Sequence, residues 1–219
     1  MVGFLKDLIN GKSEDLSEDE RNLLSVGFKN YIGAQRSAYR TVGAIQENKK
    51  YESYSEDCAA YKAEIAKELD NRCSEIIGMV KDTCLGKTST DEAKVFYLKM
   101  IADYYRYISE SASGDRNEEV KNQAKDFYEQ AESAIGSLPA YNAIRLGLAL
   151  NQSVFQYEVM NDKAKAIDLA QGALDAAKAH IEDMDNDDAR EALSIVELLK
   201  ENLDLWKEEE GPDNEVEDL

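Results

Sequence analysis

The sequence predicts an all-α fold, an antiparallel array of about seven to eight helices joined by short loops. Three observations carry this expectation. Only two prolines and twelve glycines punctuate 219 residues, which favours long uninterrupted helices. Apolar residues recur at three- and four-residue spacing over most of the chain, and no stretch alternates with the period of a strand. Helix-start signals stand immediately before several of these patterns.

Taken in order, Ser17-Glu-Asp-Glu20 is a capping box just ahead of Leu23 and Leu24. The helix it opens is expected to run to about Lys49, with Leu24, Phe28, Tyr31, Ala38, Val42 and Ile45 at roughly helical spacing. A second pattern spans about 51–84, with Tyr61, Ile65, Leu69, Cys73 and Ile76/Ile77 on one side. Ser89-Thr-Asp-Glu92 has the form of another capping box and predicts a helix through about Ala112, which Gly114-Asp115 ends. Further helices are expected at about 116–136, 140–160, 162–182 and 187–208. Pro139 suits the first turn of one, where its missing N–H is not needed. Asn186-Asp-Asp188 supplies the start signal for the last. Residues 208–219 hold seven acids, Gly211 and Pro212, the composition of a disordered acidic tail. The expected organisation is one helical domain over 1–207 followed by that tail.

Composition excludes several function classes. With 26 Lys+Arg against 45 Asp+Glu, the formal charge of −19 argues against nucleic acid or an anionic membrane as the main partner. It leaves room for a local basic pocket. Cys58, Cys73 and Cys84 are odd in number and lack zinc-like spacing, so free thiols in a reducing compartment are expected. No apolar run approaches the roughly 20 residues that span a bilayer, and no signal peptide is visible. A soluble, cytosolic or nuclear protein is expected. Asn151-Gln-Ser153 matches a glycosylation sequon by chance, since it falls within a helical apolar pattern.

Enzymatic chemistry finds no support. One histidine, His180, cannot serve the two Glu-x-x-His motifs of a di-iron bundle. Gly86-Lys87-Thr88 imitates the end of a phosphate-binding loop, but Lys81 stands where the upstream glycine is required and no strand precedes it. No nucleophile–base–orienter set is visible. No metal, cofactor or catalytic residue is therefore expected.

Two stretches hold the most information: Arg21-Asn-Leu-Leu-Ser-Val-Gly-Phe-Lys-Asn-Tyr-Ile-Gly-Ala-Gln-Arg36 and Lys94-Val-Phe-Tyr-Leu-Lys-Met-Ile-Ala-Asp-Tyr-Tyr-Arg-Tyr107. Each sets basic side chains inside an apolar or aromatic helical pattern. A packed helix face rarely tolerates cations without an anionic partner, so a ligand anion is expected there. Lys29 and Arg36 are seven residues apart and share one helix face. Arg106 and Tyr107 end a helix whose other face, Val95, Leu98, Ile101 and Tyr105, has core character. A phosphomonoester carries about −1.5 to −2 charges and three acceptor oxygens. Two guanidinium forks, an ammonium and a phenol match that demand.

These stretches, with 144–158 and 195–206, resemble the 14-3-3 family of phosphoserine/phosphothreonine-binding adaptors, over about residues 1–207. The resemblance implies an array of antiparallel helices, nine in the family, forming a cup with an inner groove. It implies that Lys29, Arg36, Arg106 and Tyr107 hold the phosphate of a client protein, with Lys99 at a further basic groove position. It gives Asn151 and Asn202 the peptide backbone, Leu150, Val154, Ile195, Leu198 and Trp206 apolar contact, and Gly147 close approach. Glu158 is implied to orient the basic cluster. Amides that address backbone groups tolerate many sequences, which is an adaptor's logic. Departures from the family pattern are Gln35 for a second arginine, Ala143 for a proline and Ser194 for a leucine.

Met1 aligns inside the family's second helix, so the resemblance leaves the family's first helix unmatched. In family dimers that helix packs on a surface matched here by Ala38, Val42, Ile45 and Tyr61, while Glu64 stands for an interface lysine. A homodimer or heterodimer is expected to be weakened, and a truncated sequence, a monomer and a rearranged dimer all fit. Ala38 also replaces a serine whose phosphorylation regulates dimerisation in some members.

The alternative from another class is a phosphate-independent tetratricopeptide-like scaffold, suggested by the small residues between Lys165 and Lys178. No consistent 34-residue repeat supports it, and it would bind unphosphorylated peptide equally well. The acidic tail, opposite in charge to the basic groove, is also placed to compete for it.

Overall fold

The computed structural model describes residues 2–180 and 186–209, with side chains described outside 186–189. Among these residues there are eight α-helices and no strand: α1 (Val2–Gly11), α2 (Glu18–Glu47), α3 (Ser55–Met79), α4 (Asp91–Ser109), α5 (Gly114–Ser133), α6 (Ala143–Glu158), α7 (Lys163–Lys178) and α8 (Asn186–Glu209). The acidic tail lies outside the described residues from 210 onward, and its first two residues belong to α8. The chain divides into two compact units, one ending at Ala134 and one beginning at Ile135.

In the first unit α2 starts as its sequence dictates. The Ser17 hydroxyl accepts from the Glu20 N–H at 3.3 Å, and the Glu20 carboxylate accepts from the Ser17 N–H at 2.7 Å. Two of the orphan donors at the helix start are thereby satisfied. Leu24, Phe28 and Ile32 form its buried face, so Ile32 takes the core position expected of Tyr31. The short helix α1 buries Leu5 and Ile9 and packs on α2 at Leu5. Gly27 permits that approach, because a Cβ there would stand 2.3 Å from the Leu5 Cδ1.

Helix α3 returns along α2. Arg72 Nη1 donates to the Tyr31 carbonyl at 2.8 Å while the Lys62 ammonium lies over the Tyr39 ring. Residue numbers rise on one helix as they fall on the other, which is the antiparallel arrangement. A π-helical turn, Val80–Cys84, and a 3₁₀ turn, Leu85–Lys87, end this arm. Lys87 Nζ then donates to the Lys12 carbonyl at 2.6 Å, a cation at the C-terminal end of α1, where the dipole favours it.

The capping box expected at Ser89–Glu92 does not form. Thr90 is the cap, its hydroxyl accepting from the Ala93 N–H at 3.1 Å. The Ser89 hydroxyl instead donates to Asp15 at 3.3 Å, and Glu92 accepts from Arg21 at 3.3 Å. Tertiary partners have outbid the local motif. Helix α4 packs against α3 and α5, so it buries residues around most of its circumference, Val95, Leu98, Ile101, Tyr104 and Ile108 among them. Gly114 opens α5 with a φ of 56°, a conformation costly for other residues. Two residues on, Arg116 clamps Asp70 of α3 with bonds of 3.0 and 2.8 Å.

The second unit is built from α6, α7 and α8, each packed on the other two. Pro139 sits in the turn before α6 rather than in its first turn, its carbonyl accepting from the Asn142 N–H at 3.0 Å. Asn142 is the cap, taking the N–H groups of Ile144 and Arg145 at 3.0 and 3.1 Å. Along α7 the buried positions are Ala166, Ala170, Leu174 and Ala177, and small side chains let its neighbours approach closely. Trp206 of α8 stacks on Tyr157 of α6, with ring centroids 4.6 Å apart.

Candidate functional site

In the first unit, one face of α2 meets the end of α4. The Arg36 guanidinium donates from Nε to Glu110 Oε2 at 3.2 Å and from Nη2 to Oε1 at 2.6 Å. These paired bonds are the geometry by which arginine binds an oxyanion. Arg40, one turn further along α2, donates to Glu110 Oε2 at 3.1 Å. Arg106 Nη1 lies 3.9 Å from Glu110 Oε1. The Arg36 and Arg106 guanidinium carbons stand 4.0 and 4.7 Å from the centroid of the Tyr107 ring. The ring face attracts both cations and holds them near each other.

Three of the four residues expected at a phosphate site, Arg36, Arg106 and Tyr107, are thus brought together. Lys29 is exposed two turns earlier on α2, and its ammonium makes no ion pair among the described residues. Burial is the chief cause of a raised Tyr107 pKa, so its hydroxyl is a donor at neutral pH. That hydroxyl has no partner among the described residues.

A second layer lies beneath. Asp103 is buried and accepts from the Tyr128 hydroxyl at 2.6 Å and the Lys99 ammonium at 3.0 Å, with Arg106 Nη2 at 4.0 Å. Arg106 Nε donates to the Tyr128 oxygen at 3.4 Å. Burial acts against the Asp103 charge, but Lys99 and Arg106 outweigh it and keep the carboxyl below its usual range. Lys99 therefore supports the cluster through Asp103. Within the fold itself, Glu110 faces Arg36 and Arg106, and Asp103 faces Arg106.

Sequence reasoning missed Arg40, Asp103, Glu110 and Tyr128. The i,i+4 spacings of Lys99 with Asp103 and of Arg106 with Glu110 were legible signals; Tyr128 had none. Nor did it foresee that Leu23 and Val26, one turn apart on α2 ahead of Lys29, would be 54% and 56% exposed. The doublet Leu23–Leu24 was the clue, since only one of two adjacent residues faces a core.

In the second unit Asn151 is half-buried on α6, with Gly147, Leu150 and Val154 half-buried around it. On α8, Asn202 and Ile195 are half-buried and Leu198 is 47% exposed. Ser194 is exposed and its hydroxyl donates to the Glu191 carbonyl at 3.1 Å. Glu158 is exposed at the end of α6. Trp206, expected as an apolar groove position, is 4% exposed and belongs to the α6–α8 core.

Among the described residues no cluster of His, Cys, Asp and Glu could hold a metal ion, and no helix is long and apolar enough to cross a membrane. The fold and site define an all-α protein in which three arginines gather around one carboxylate, Arg36 by paired bonds, beside a protonated phenol. The family model described as 14-3-3 protein matches residues 1–207. Similar proteins include 14-3-3 protein homolog 1 of Schistosoma mansoni, 40% identical over 206 residues, covering 94% of this chain and 82% of the relative. 14-3-3 protein I of Plasmodium falciparum is 37% identical over 210 residues, covering 94% and 80%. The 14-3-3 protein of Giardia intestinalis is 37% identical over 215 residues, covering 96% and 87%. The chain belongs to the 14-3-3 family of non-catalytic, phosphopeptide-binding adaptors and has its all-α fold.

Proposed function

We propose that this protein clamps phosphoserine- or phosphothreonine-containing client proteins, with the phosphate on Arg36, Arg106, Tyr107 and Lys29. The observation that carries this is the Arg36 fork closed on a carboxylate beside Arg106 and Tyr107. A phosphate dianion offers the same paired acceptors, a third oxygen for the Tyr107 hydroxyl and charge for exposed Lys29. Asp103 and Tyr128 act as positioning residues, because they fix the Arg106 guanidinium from beneath.

Under this reading Leu23 and Val26 continue the α2 stripe with apolar contact for residues flanking the phosphoamino acid. Asn151 and Asn202 take peptide backbone groups, while Gly147, Leu150, Val154, Ile195 and Leu198 offer further apolar contact. Ala38, Val42, Ile45 and Tyr61 form a dimerisation surface; Tyr61 is 60% exposed, and such apolar exposure favours a partner. A dimer would bind a doubly phosphorylated client with an avidity gain of about 10²–10⁴.

Fluorescence-polarisation titration of a phosphoserine peptide against its unphosphorylated twin tests the reading, with Arg36→Ala as control. Binding is expected only with phosphate and arginine both present. Equal binding of both peptides would return the scaffold alternative.

A further inference from the structure

The Glu110 carboxylate holds the two Arg36 donors that a phosphate needs, and it shares Arg40 and Arg106. Its place in the fold is an unfavourable one for an anion. Glu110 is the C-cap residue of α4, where the helix carbonyls repel negative charge. Nothing in the helix calls for an acid there; the arginines are what offset the repulsion.

We infer that Glu110 is a built-in competitor that determines which anions the site accepts. The inference rests on the phosphopeptide reading and deepens it. A ligand carboxylate, with one charge and two oxygens, can only replace Glu110 like for like on Arg36. It gains little and leaves a second carboxylate close by. A phosphate dianion brings extra charge and a third acceptor oxygen, so it displaces Glu110 from Arg36 while Glu110 keeps Arg40. The residue thereby rejects aspartate- and glutamate-bearing segments and admits phosphorylated ones. For a chain with 45 acidic residues of its own, that discrimination also keeps the site free of self-association through surface carboxylates.

The test uses three peptides of one sequence with phosphoserine, glutamate or serine at the centre, titrated against wild type, Glu110→Gln and Glu110→Ala. Glutamine keeps the shape and removes the charge. Both variants are expected to bind the phosphoserine peptide about three- to tenfold more tightly. They are also expected to bind the glutamate peptide measurably better than the serine peptide, which wild type does not. Unchanged or weaker binding of both acidic peptides, with thermal melts like wild type, would overturn the inference and make Glu110 a scaffold for the arginines. Should wild type itself fail to distinguish phosphoserine from serine, the phosphopeptide reading falls and this inference with it.

A measurement on wild type alone guards against variants that do not fold. The Arg36 Nε–H resonance is expected to shift on adding the phosphoserine peptide and to stay in place with the glutamate peptide at equal concentration. An equal shift with both would overturn the inference.

Discussion

The Tyr128 hydroxyl donates a 2.6 Å hydrogen bond to the buried Asp103 carboxylate, tying α5 to the helix that presents Arg106 and Tyr107. Tyr128→Phe removes that donor and the oxygen that Arg106 Nε uses. A buried carboxylate left short of one partner costs about 1–3 kcal/mol. Urea unfolding should show that loss, and phosphopeptide affinity should fall because Arg106 is less well held.

Lys29 and Arg36 should separate binding from folding. Lys29 is exposed, so Lys29→Ala is expected to leave stability within about 0.5 kcal/mol of wild type. Phosphopeptide affinity should still drop about tenfold, and less so at high salt, since a lost point charge is screened. Arg36→Ala should cost more affinity and show it at every salt concentration, because a bidentate partner is lost. Polarisation titrations at two ionic strengths check both.

The Asp70–Arg116 pair predicts a pH dependence. The hydrogen bond from Arg116 is the first cause holding the Asp70 carboxyl below its usual range. A depressed folded-state pKa means that the unfolded chain takes up the proton more readily. The stabilisation is therefore present above the unfolded value of about 3.9 and is lost as pH falls through the folded one. Asp70→Asn should be less stable than wild type by about 0.5–1 kcal/mol near neutral pH, the pair being partly exposed. Denaturant curves at successively lower pH should show that gap closing.

Thiol reactivity should be unequal. Burial pushes the Cys73 pKa up to about 12 and the Cys84 pKa up to about 11, so neither forms appreciable thiolate at pH 8. Cys58 is half-buried on α3. Ellman's reagent is expected to titrate one thiol in the native protein and all three in guanidinium chloride.

Trp206 is the sole tryptophan and is stacked in the core of the second unit. Its emission should be blue-shifted and poorly quenched by acrylamide. Adding phosphopeptide should change neither, whereas an exposed groove residue would respond. Trp206→Ala should cost about 3–5 kcal/mol.

How far the sequence could be read depended on the range of the interaction. The capping box at Ser17 and Glu20 formed as read, because its partners lie three residues apart and nothing distant competes. The same four-residue form at Ser89 failed, because Asp15 and Arg21 drew its two side chains away. Pro139 shows a subtler limit: its fixed φ suits a turn as well as a first helical position, and Asn142 supplied the stronger cap. Leu23, exposed on α2, and Trp206, buried in the second unit, show a related limit. Apolar identity says that a residue avoids water, and only packing says whether it does so against the core or against a ligand.

The site divides along the same line. Basic residues within apolar helical patterns are costly without an anion and drew attention to both stretches, but it was the resemblance to the family that joined Arg36 with Arg106 and Tyr107. By spacing alone, Glu110 belongs to Arg106, four residues before it on the same helix. The fold gives its paired bonds to Arg36, 74 residues upstream. The sequence by itself determined the helical class, the family and the kinds of side chain at the site, since periodicity, capping and motif are properties of neighbours in the chain. Which acid neutralises which base was decided only by the tertiary structure, because Coulomb and hydrogen-bond energies depend on distances that arise when α2 meets the end of α4.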